Sequence, residues 1–497
     1  MINVADAIMG SGKTSAAINY INSHPEKRFF YVTPFLSETE RIQRSCPDAH
    51  FICPKSAYFS HFSKVKHTEN LIGDGANIST THQAFRSYPR EMITAIQEKG
   101  YTLILDECIN ILEEAEIDRE DMRLLENQGF ITRSENGLFS PTEKEYNGRI
   151  FKEFLNILST RDLMTIKNKE NLCCKFWVLP PNLIRAFEDV FVLTYMFESQ
   201  NLYYLFSMYD IPYRKIGIKK ENGTFSFTDG EGTIPDYVYH IRDKLHVYHN
   251  INANVVGNDK TALSEAWVEK YPEKVKCVQR CVYNFFNNYN KGSKPYERLW
   301  SSVGSAKGKL QGKGYAKNFL AFNACAVNEY SRAKYLAYLA NVYMNVGHRL
   351  FFIKSGVKVD DDSFALSTMV QWIWRSAIRN GEEVYVYIPS RRMRDLLENW
   401  MEQLESLNPD QDEFIERNIA YYKSKEKDRK KYYVKASDIA YYSGEDEKLS
   451  SIYKDCMRQD KEIRDKIDKM VKDLEARRVK IPLDRYNRDE TVVTGGK

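Results

Sequence analysis

The residues best suited to chemistry stand at the start of the chain. Ala7-Ile8-Met9-Gly10-Ser11-Gly12-Lys13-Thr14 fits the phosphate-loop pattern G-x-x-x-x-G-K-S/T, with Ala7 in place of the first glycine. Gly10 and Gly12 permit tight turns and a close approach of backbone to ligand. Successive N–H groups, that of Ser11 among them, can then cradle phosphate oxygens. Lys13 would reach the β- and γ-phosphates, and the Thr14 hydroxyl would hold Mg2+. The competing reading is a plain Gly-rich turn. Against it, a Gly-Lys-Thr ending followed at once by helix-compatible residues 15–21 is the context the motif requires, with a helix N-terminus facing the anion.

Asp106-Glu107 is the second group, directly after the apolar run Tyr101-Thr102-Leu103-Ile104-Leu105. An acidic pair after such a run is commonplace by itself. Beside a phosphate loop it gains a role: Asp106 completes the Mg2+ coordination, and Glu107 positions or activates the attacking water. The third group is Gln371-Trp372-Ile373-Trp374-Arg375-Ser376-Ala377-Ile378-Arg379. Spacing of i, i+4, i+8 puts Gln371, Arg375 and Arg379 on one face of a single helix. An arginine brought to the γ-phosphate stabilises transition-state charge and contributes ~10³–10⁵ in rate. Either Arg375 or Arg379 can fill that role. Ile373, Ala377 and Ile378 make the segment too apolar for a merely solvated basic face.

A nucleic-acid partner has to be argued from local features, because the net charge is only +4. Thr33, Thr80 and Thr81 fall at the carboxyl ends of expected strands, where hydroxyls can bind phosphates without reading sequence. Thr-Pro and Thr-Thr are equally at home in turns and caps. Residues 301–317 carry Lys307, Lys309, Lys313 and Lys317 among glycines, a basic loop suited to the backbone of a single strand. The mixed-charge run of Lys423, Lys425, Glu426, Lys427, Asp428, Lys430 and Lys431 reads as a solvated helical surface.

These groups need elements to place them. The first 110 residues alternate strand and helix: strands at 2–5, 28–32, 78–81 and 101–105, with helices after the phosphate loop, near Ser37 and from His82. That alternation predicts a doubly wound α/β layer with ligands at the carboxyl ends of its strands. Residues 110–175 read as a mostly helical insertion. The α/β pattern resumes with strands at 176–179 and 190–193. Residues 219–235, polar and Gly-rich, are a linker or a hairpin. A second alternating stretch follows, with strands at 245–249, 319–322, 350–353 and 383–388 and helices from Thr261, at 331–345 and at 365–379. After Pro389 the chain is charged and helical. The resulting division is 1–218, a linker at 219–235, a second domain at 236–395 and a C-terminal region at 396–497, in line with about three domains for a chain of 497 residues.

Hydrophobic content of 43% and charged content of 28% are those of an ordinary globular protein. Nine scattered cysteines show no paired CxxC spacing, and Cys46, His50 and Cys53 fit no common zinc pattern, so reduced thiols are expected. With no signal peptide and no apolar run long enough to span a bilayer, a cytoplasmic protein without membrane partners is expected.

Taken together, the motifs resemble those of superfamily 2 helicases, DEAD/DEAH-like ATPases with two RecA-like domains. Residues 7–14 resemble motif I and Asp106-Glu107-Cys108-Ile109 motif II. Tyr31-Val32-Thr33-Pro34 resembles motif Ia, Ser79-Thr80-Thr81-His82-Gln83 motif Ib and Leu193-Thr194-Tyr195 motif III. Ala326-Val327-Asn328-Glu329-Tyr330 sits where motif V belongs, and residues 371–379 are similar to motif VI, in the manner of helicases encoded by bacteriophages. Cys108 and Ile109 replace the Asp or His that ends motif II in the family. Trp374 replaces a glycine in motif VI, whose arginines here stand four apart rather than three. The resemblance implies an ATP- and Mg2+-dependent helicase or translocase. Its partner would be single-stranded or forked DNA in preference to RNA, in replication, recombination or repair and alongside the proteins of those processes. The alternative is a nucleic-acid-stimulated ATPase that remodels or recruits partners without unwinding. Almost no chain precedes the loop, so an upstream adenine-reading glutamine is not expected, and base selectivity would be weak. Lys13→Ala is expected to abolish ATP hydrolysis while leaving nucleic-acid binding nearly intact; turnover near the wild-type rate would reject the phosphate-loop assignment.

Overall fold

The computed structural model describes residues 1–55, 64–134, 137–167, 173–323, 329–426 and 446–479. The chain divides into two compact units. The first is made in the main of Met1–Ile234 and Tyr343–Arg375, the second of Pro235–Phe322, Glu329–Val342 and the residues from Ser376 on. Each is built on a parallel sheet, so the α/β class holds for both.

In the first unit the chain lays down β1 (Ile2–Asp6), α1 (Lys13–Asn22), β2 (Arg28–Thr33), β3 (Ile78–Thr81) and β4 (Tyr101–Asp106). It then leaves the layer for β5 (Leu112–Glu114), β6 (Ile131–Arg133), β7 (Leu138–Pro141), β8 (Asp162–Lys167) and β9 (Cys173–Val178). It returns as β10 (Asp189–Thr194) and the short β11 (Arg214–Lys215). The parallel sheet runs β11-β1-β10-β4-β2-β3. Its inner strands β1, β10, β4 and β2 are apolar on both faces, as burial between two helical layers demands. Val4, Phe30, Leu103, Leu105, Val190 and Val192 face one core. Ala5, Phe29, Tyr31, Ile104, Phe191 and Leu193 face the other, together with Ala16, Ala17 and Ile21 of α1. The small Ala16 and Ala17 let α1 lie close to the sheet, while burial of Ile21 contributes roughly 1.5–3 kcal/mol to holding it there.

The insertion departs from expectation. Residues 110–175 are not mostly helical; they carry the antiparallel sheet β5-β9-β8-β7-β6 with helices at Arg119–Asn127 and Lys152–Leu158. The strand at 176–179 belongs here too, since β9 pairs antiparallel with β5 and β8 instead of rejoining the parallel sheet. Met122, Leu125, Ile131, Phe139, Leu158, Leu163 and Trp177 give this sheet a core of its own. Three of its strands are only three or four residues long, too short to show alternation against a charged background.

Residues 217–228 form a hairpin, β12 (Gly217–Glu221) with β13 (Thr224–Thr228). Its two-residue turn is Asn222-Gly223, both at positive φ, the combination that a tight turn between twisted strands prefers.

In the second unit β14 (Leu245–Val247), β15 (Arg298–Ser302), β16 (Tyr335–Leu339) and β17 (Val384–Tyr387) form a parallel sheet in the order β14-β17-β16-β15. Three expectations fail here. Residues 331–345 contain a strand instead of a helix. The expected strand at 350–353 is the interior of a helix, Val346–Lys354, capped by Asn345, whose Oδ1 accepts the N–H groups of Gly347 and His348. That helix belongs to the first unit, where Phe351 and Phe352 enter the core. At 319–322 only a single bridge, Trp300 to Phe319, is made. Tyr335-Leu336-Ala337-Tyr338-Leu339 and Leu350-Phe351-Phe352-Ile353 are both short continuous apolar runs, and periodicity does not distinguish strand from buried helix in such runs.

Beyond Pro389 the chain is helical and charged as expected, with helices at Arg391–Glu405, 411–426 and Asp446–Val479. The charges are not all solvated. Lys425 Nζ pairs with Glu398 at 2.5 Å and Arg464 with Glu426 at 2.9 Å, while Lys423 is exposed. Lys427, Asp428, Lys430 and Lys431 lie outside the described residues, as do Ala326, Val327 and Asn328 of the expected motif V. Burial alone would raise the Glu398 carboxyl, but Lys425 and His249 outweigh it and hold it well below the usual range. A depressed carboxyl stabilises the fold above its unfolded value of 4.5 and loses that contribution as pH falls through its folded value. Glu398→Ala should therefore cost about 3 kcal/mol at neutral pH by denaturant titration, because it strands a half-buried lysine. The gap from wild type should close in acid.

Candidate nucleotide-binding site

The site begins where β1 stops. Ala7 N–H still bonds Thr194 O of β10 at 3.0 Å; the chain then turns through Gly10 (φ 83°) and Gly12 (φ 88°) into α1. Ser11 N–H bonds Ile8 O at 3.2 Å, and Ala16 N–H bonds Gly12 O at 2.8 Å as the first helical bond. The Ser11 hydroxyl is buried with no hydrogen-bond partner. Lys13 folds back over the loop, its ammonium donating to Ala7 O at 2.5 Å and Ile8 O at 3.1 Å. Burial lowers its pKa to about 8, against the attraction of Asp106, Glu107 and Asp6. Gly10, Ser11, Gly12, Lys13 and Thr14 thus occupy one turn and the start of one helix, as expected of a phosphate cradle.

Asp106 ends β4, two strands from β1. Burial raises its carboxyl to about 6, while a 2.7 Å hydrogen bond donated by the Tyr31 hydroxyl favours the charged form. His82, which burial lowers to about 4 and so keeps neutral, donates through Nε2 to the Asp106 carbonyl at 3.0 Å. Glu107 follows at φ 65°, a left-handed conformation rare for a residue with a Cβ, held by its N–H on Leu193 O at 3.0 Å. Strain of this kind is retained where the surroundings over-determine it, and it clusters at functional sites. Cys108, whose thiol burial pushes up to about 12, donates to Thr194 Oγ1 at 3.5 Å. Gln200 bonds both Thr194 Oγ1 and Tyr195 O at 2.8 Å.

The expected common face of Gln371, Arg375 and Arg379 does not exist. The helix spans Asp361–Ile373, Ser376 is extended, and Arg379 lies on a separate turn, Ala377–Asn380. Gln371 bonds Ser367 of its own helix at 3.1 Å. Arg375, freed from the helical path at its end, reaches Glu107: Nη2 stands 3.4 Å from Oε1. The Arg375 Nε is buried without a partner. Arg379 is exposed and belongs to the second unit.

The expected nucleic-acid contacts fare unevenly. Thr33 and Thr80 are buried, and the Thr80 hydroxyl accepts from Tyr88 at 3.1 Å. Thr81 caps the helix at His82, accepting Ala84 N–H at 3.3 Å. The Thr80 and Thr81 hydroxyls are thus engaged within the fold, by Tyr88 and by the helix that Thr81 caps, while the buried Thr33 hydroxyl has no hydrogen-bond partner. Lys313, in the second unit, is exposed.

Sequence reasoning missed Tyr31 as a site residue, and also His82 and Gln200. A tyrosine inside a fully apolar strand was the available signal for Tyr31, since its hydroxyl must find a partner when buried. No group of three or more His, Cys, Asp or Glu residues could hold a metal ion by itself among the described residues. The donors present fit a Mg2+–nucleotide instead. An unpartnered hydroxyl lies in the cradle, Thr14 stands at the helix start, and a carboxylate is held in a buried position that a cation would relieve. Mg2+ keeps most of its waters and asks only one or two protein ligands in such sites.

The chain can now be set beside known proteins. The SPbeta prophage-derived protein YonV of Bacillus subtilis (strain 168) is 35% identical over 409 residues, which is 81% of this chain and 98% of that protein. The chain belongs to the YonV family. Residues 239–401 also match the model of the YonV C-terminal Rossmann-like domain, a span that takes in Gln371, Arg375 and Arg379 of this YonV-family chain. Among the solved structures this chain resembles, two show lower likeness. One, titled as the structure of S. tokodaii Xpd4, is 12% identical with a TM-score of 0.41 over 80% of this chain and 93% of that one. The other, titled as an XPD helicase, is 11% identical with a TM-score of 0.40 over 82% and 95%. Likeness of that degree leaves the function of this YonV-family protein to its own residues. Among the described residues no helix is long and apolar enough to cross a membrane. Tyr31→Phe is expected to raise the half-saturating Mg2+ concentration for nucleotide binding about ten-fold, the usual effect of removing a group that orients a metal ligand, with the fold retained by circular dichroism.

Proposed function

We propose that this chain is an ATP-dependent nucleic-acid helicase or translocase, acting on single-stranded or forked DNA in preference to RNA. The observation that carries the proposal is the pairing of Arg375 with Glu107 beside a phosphate loop whose lysine is already seated. A phosphate-binding turn alone fits kinases and switches equally. A carboxylate free to take a proton from water, with a guanidinium against it, is the equipment of a hydrolase.

In this mechanism the N–H groups from Gly10 to Thr14 hold the phosphates, and Lys13 exchanges the carbonyls of Ala7 and Ile8 for phosphate oxygens. Thr14 and Asp106 would hold Mg2+, which would supply charge neutralisation at the phosphates. Glu107, aimed by its left-handed backbone, orients the attacking water and accepts its proton. Arg375 shifts from the Glu107 carboxylate to the γ-phosphate as charge develops there, and its unpartnered Nε gives it a donor to spend. Arg379 stands as the second candidate for that role, and Gln371 as a residue that orients the segment. Lys313 and its neighbours supply contacts to the sugar-phosphate backbone, in a host cytoplasm and alongside replication or recombination proteins. DNA rather than RNA rests on analogy with superfamily 2 helicases, which is weaker support than geometry.

The second reading, a nucleic-acid-stimulated ATPase that remodels partners without unwinding, is favoured by the buried Thr33 and Thr80, which offer a strand no side-chain hydroxyls. Strand displacement on tailed and forked duplexes, with and without ATP, separates the two. Displacement is expected. Hydrolysis stimulated by DNA with no duplex opened would leave the second reading. Arg375→Ala should lower kcat about a hundred-fold or more with little change in ATP affinity; if only Arg379→Ala does so, the finger is Arg379.

A further inference from the structure

The hairpin β12–β13 follows β11 and packs along α1, the helix that the phosphate loop opens. In the sheet order β11-β1-β10-β4, Asp106 and Glu107 end the strand two places to one side of β1, while β11 lies on the other. The hairpin is anchored along α1 by Phe227, which stacks on Phe191 at 5.0 Å and meets Tyr20 at 6.0 Å. Two residues earlier on the same face, Phe225 lies against the phosphate loop itself. A methyl group added at Gly12 would run into the Phe225 ring, so ring and loop backbone are in direct contact. Phe225 is half-buried, as Phe227 is, but unlike Phe227 it stacks on no other aromatic ring among the described residues. Lys220, its cross-strand partner, places Nζ 5.3 Å from the ring centroid.

A nucleoside triphosphate is long and asymmetric. If its γ-phosphate faces Asp106 and Glu107, its base must leave the loop on the side of β11. We infer that Phe225 is the nucleobase platform of this site, a stacking surface for a purine delivered by a hairpin and not by a polar base-reading motif. This rests on the ATPase reading above. Three features support it independently of the acids: an aromatic face half-open to solvent, its contact with the glycine that opens α1, and the unpartnered Ser11 hydroxyl in the same turn, which awaits a ligand. Stacking is tolerant of base identity because every base has a π-face. The geometry therefore assigns this site affinity for purine nucleotides with little choice between adenine and guanine. Were Phe225 only a packing residue, a leucine would serve as well.

The test measures binding of ATP, GTP and inorganic tripolyphosphate to the full chain, by calorimetry, for wild type, Phe225→Leu and Phe225→Trp. Leucine keeps the apolar contact with Gly12 and removes the stack. The expected result is a loss of about ten-fold or more in affinity for both ATP and GTP in Phe225→Leu, with tripolyphosphate unchanged. Phe225→Trp should restore both nucleotides and show quenching of the added tryptophan emission by nucleotide and not by tripolyphosphate. Equal losses for nucleotide and tripolyphosphate would mean that Phe225 acts through the shape of the loop, and would overturn the inference. So would wild-type affinities for nucleotide and tripolyphosphate in the leucine variant. If wild type binds tripolyphosphate as tightly as ATP, the stacking inference fails while the phosphate site stands. If it binds neither, the ATPase reading fails and this inference falls with it.

Discussion

The constraint on which the first unit depends is the burial of opposite charges at the carboxyl ends of its parallel strands. Lys13 and Asp106 are both taken from water, and each is shifted toward its neutral form by that burial. Neither has the other as a hydrogen-bond partner. Lys13 is satisfied by the carbonyls of Ala7 and Ile8, and Asp106 by the hydroxyl of Tyr31. Such an arrangement is costly to keep and simple to improve, because an anion with its cation would serve both groups at once. The glycines, the helix start and the left-handed Glu107 make sense as the fittings of that one arrangement. The parallel sheet is what allows it: every strand end on one edge of the layer is brought to the same place, so residues near 10, 106 and 194 meet without long-range searching along the surface.

The legible part of this site was the part written in contiguous residues. A phosphate loop is eight consecutive residues with fixed chemistry, and an acidic pair after a five-residue buried run marks its own strand end. The α/β character of the first 110 residues was legible for the same reason, since β1, β2 and β4 are continuous buried runs separated by clear helices. What failed was whatever depended on tertiary context. Residues 371–379 have good helical spacing, yet the helix ends at Ile373, and Ala377 N–H goes to Ala333 O at 2.9 Å instead of to the turn before it. No local feature announces that exchange. Tyr335–Leu339 and Val346–Lys354 exchanged identities because both present short apolar stretches, and the deciding factors, a parallel neighbour in one case and an asparagine cap in the other, lie outside the run itself. The antiparallel insertion was hidden by strands of three and four residues. Tyr31, though quoted as part of a motif, has a role set by a strand next to its own.

The replacement of the usual last residue of motif II is instructive about coupling. In the resembling family an Asp or His there carries charge to the sixth motif. Here Cys108 is half-buried, and desolvation pushes its thiol up to about 12, which favours the neutral form. Its hydrogen bond to Thr194 and the two bonds of Gln200 to Thr194 and Tyr195 form a neutral chain behind the acids. A neutral chain transmits position well and charge poorly. The charged connection instead runs through Glu107, which pairs with Arg375.

That choice has a consequence for how the site is held before nucleotide arrives. Arg375 and Glu107 are 3.4 Å apart, close enough for attraction and too long for a strong hydrogen bond. In the proposed mechanism a tight bidentate pair would neutralise the carboxylate assigned to take a proton, and would have to be broken at full cost before each turnover. A loose pair holds both side chains near their working positions, keeps Arg375 half-satisfied through its Nη2, and leaves its buried Nε to be completed by another acceptor. The left-handed backbone at Glu107 serves the same end, because it fixes the direction of the carboxylate through the main chain and so does not need a strong partner to aim it. The weakness of this contact is thus what fits it to a site that changes partners.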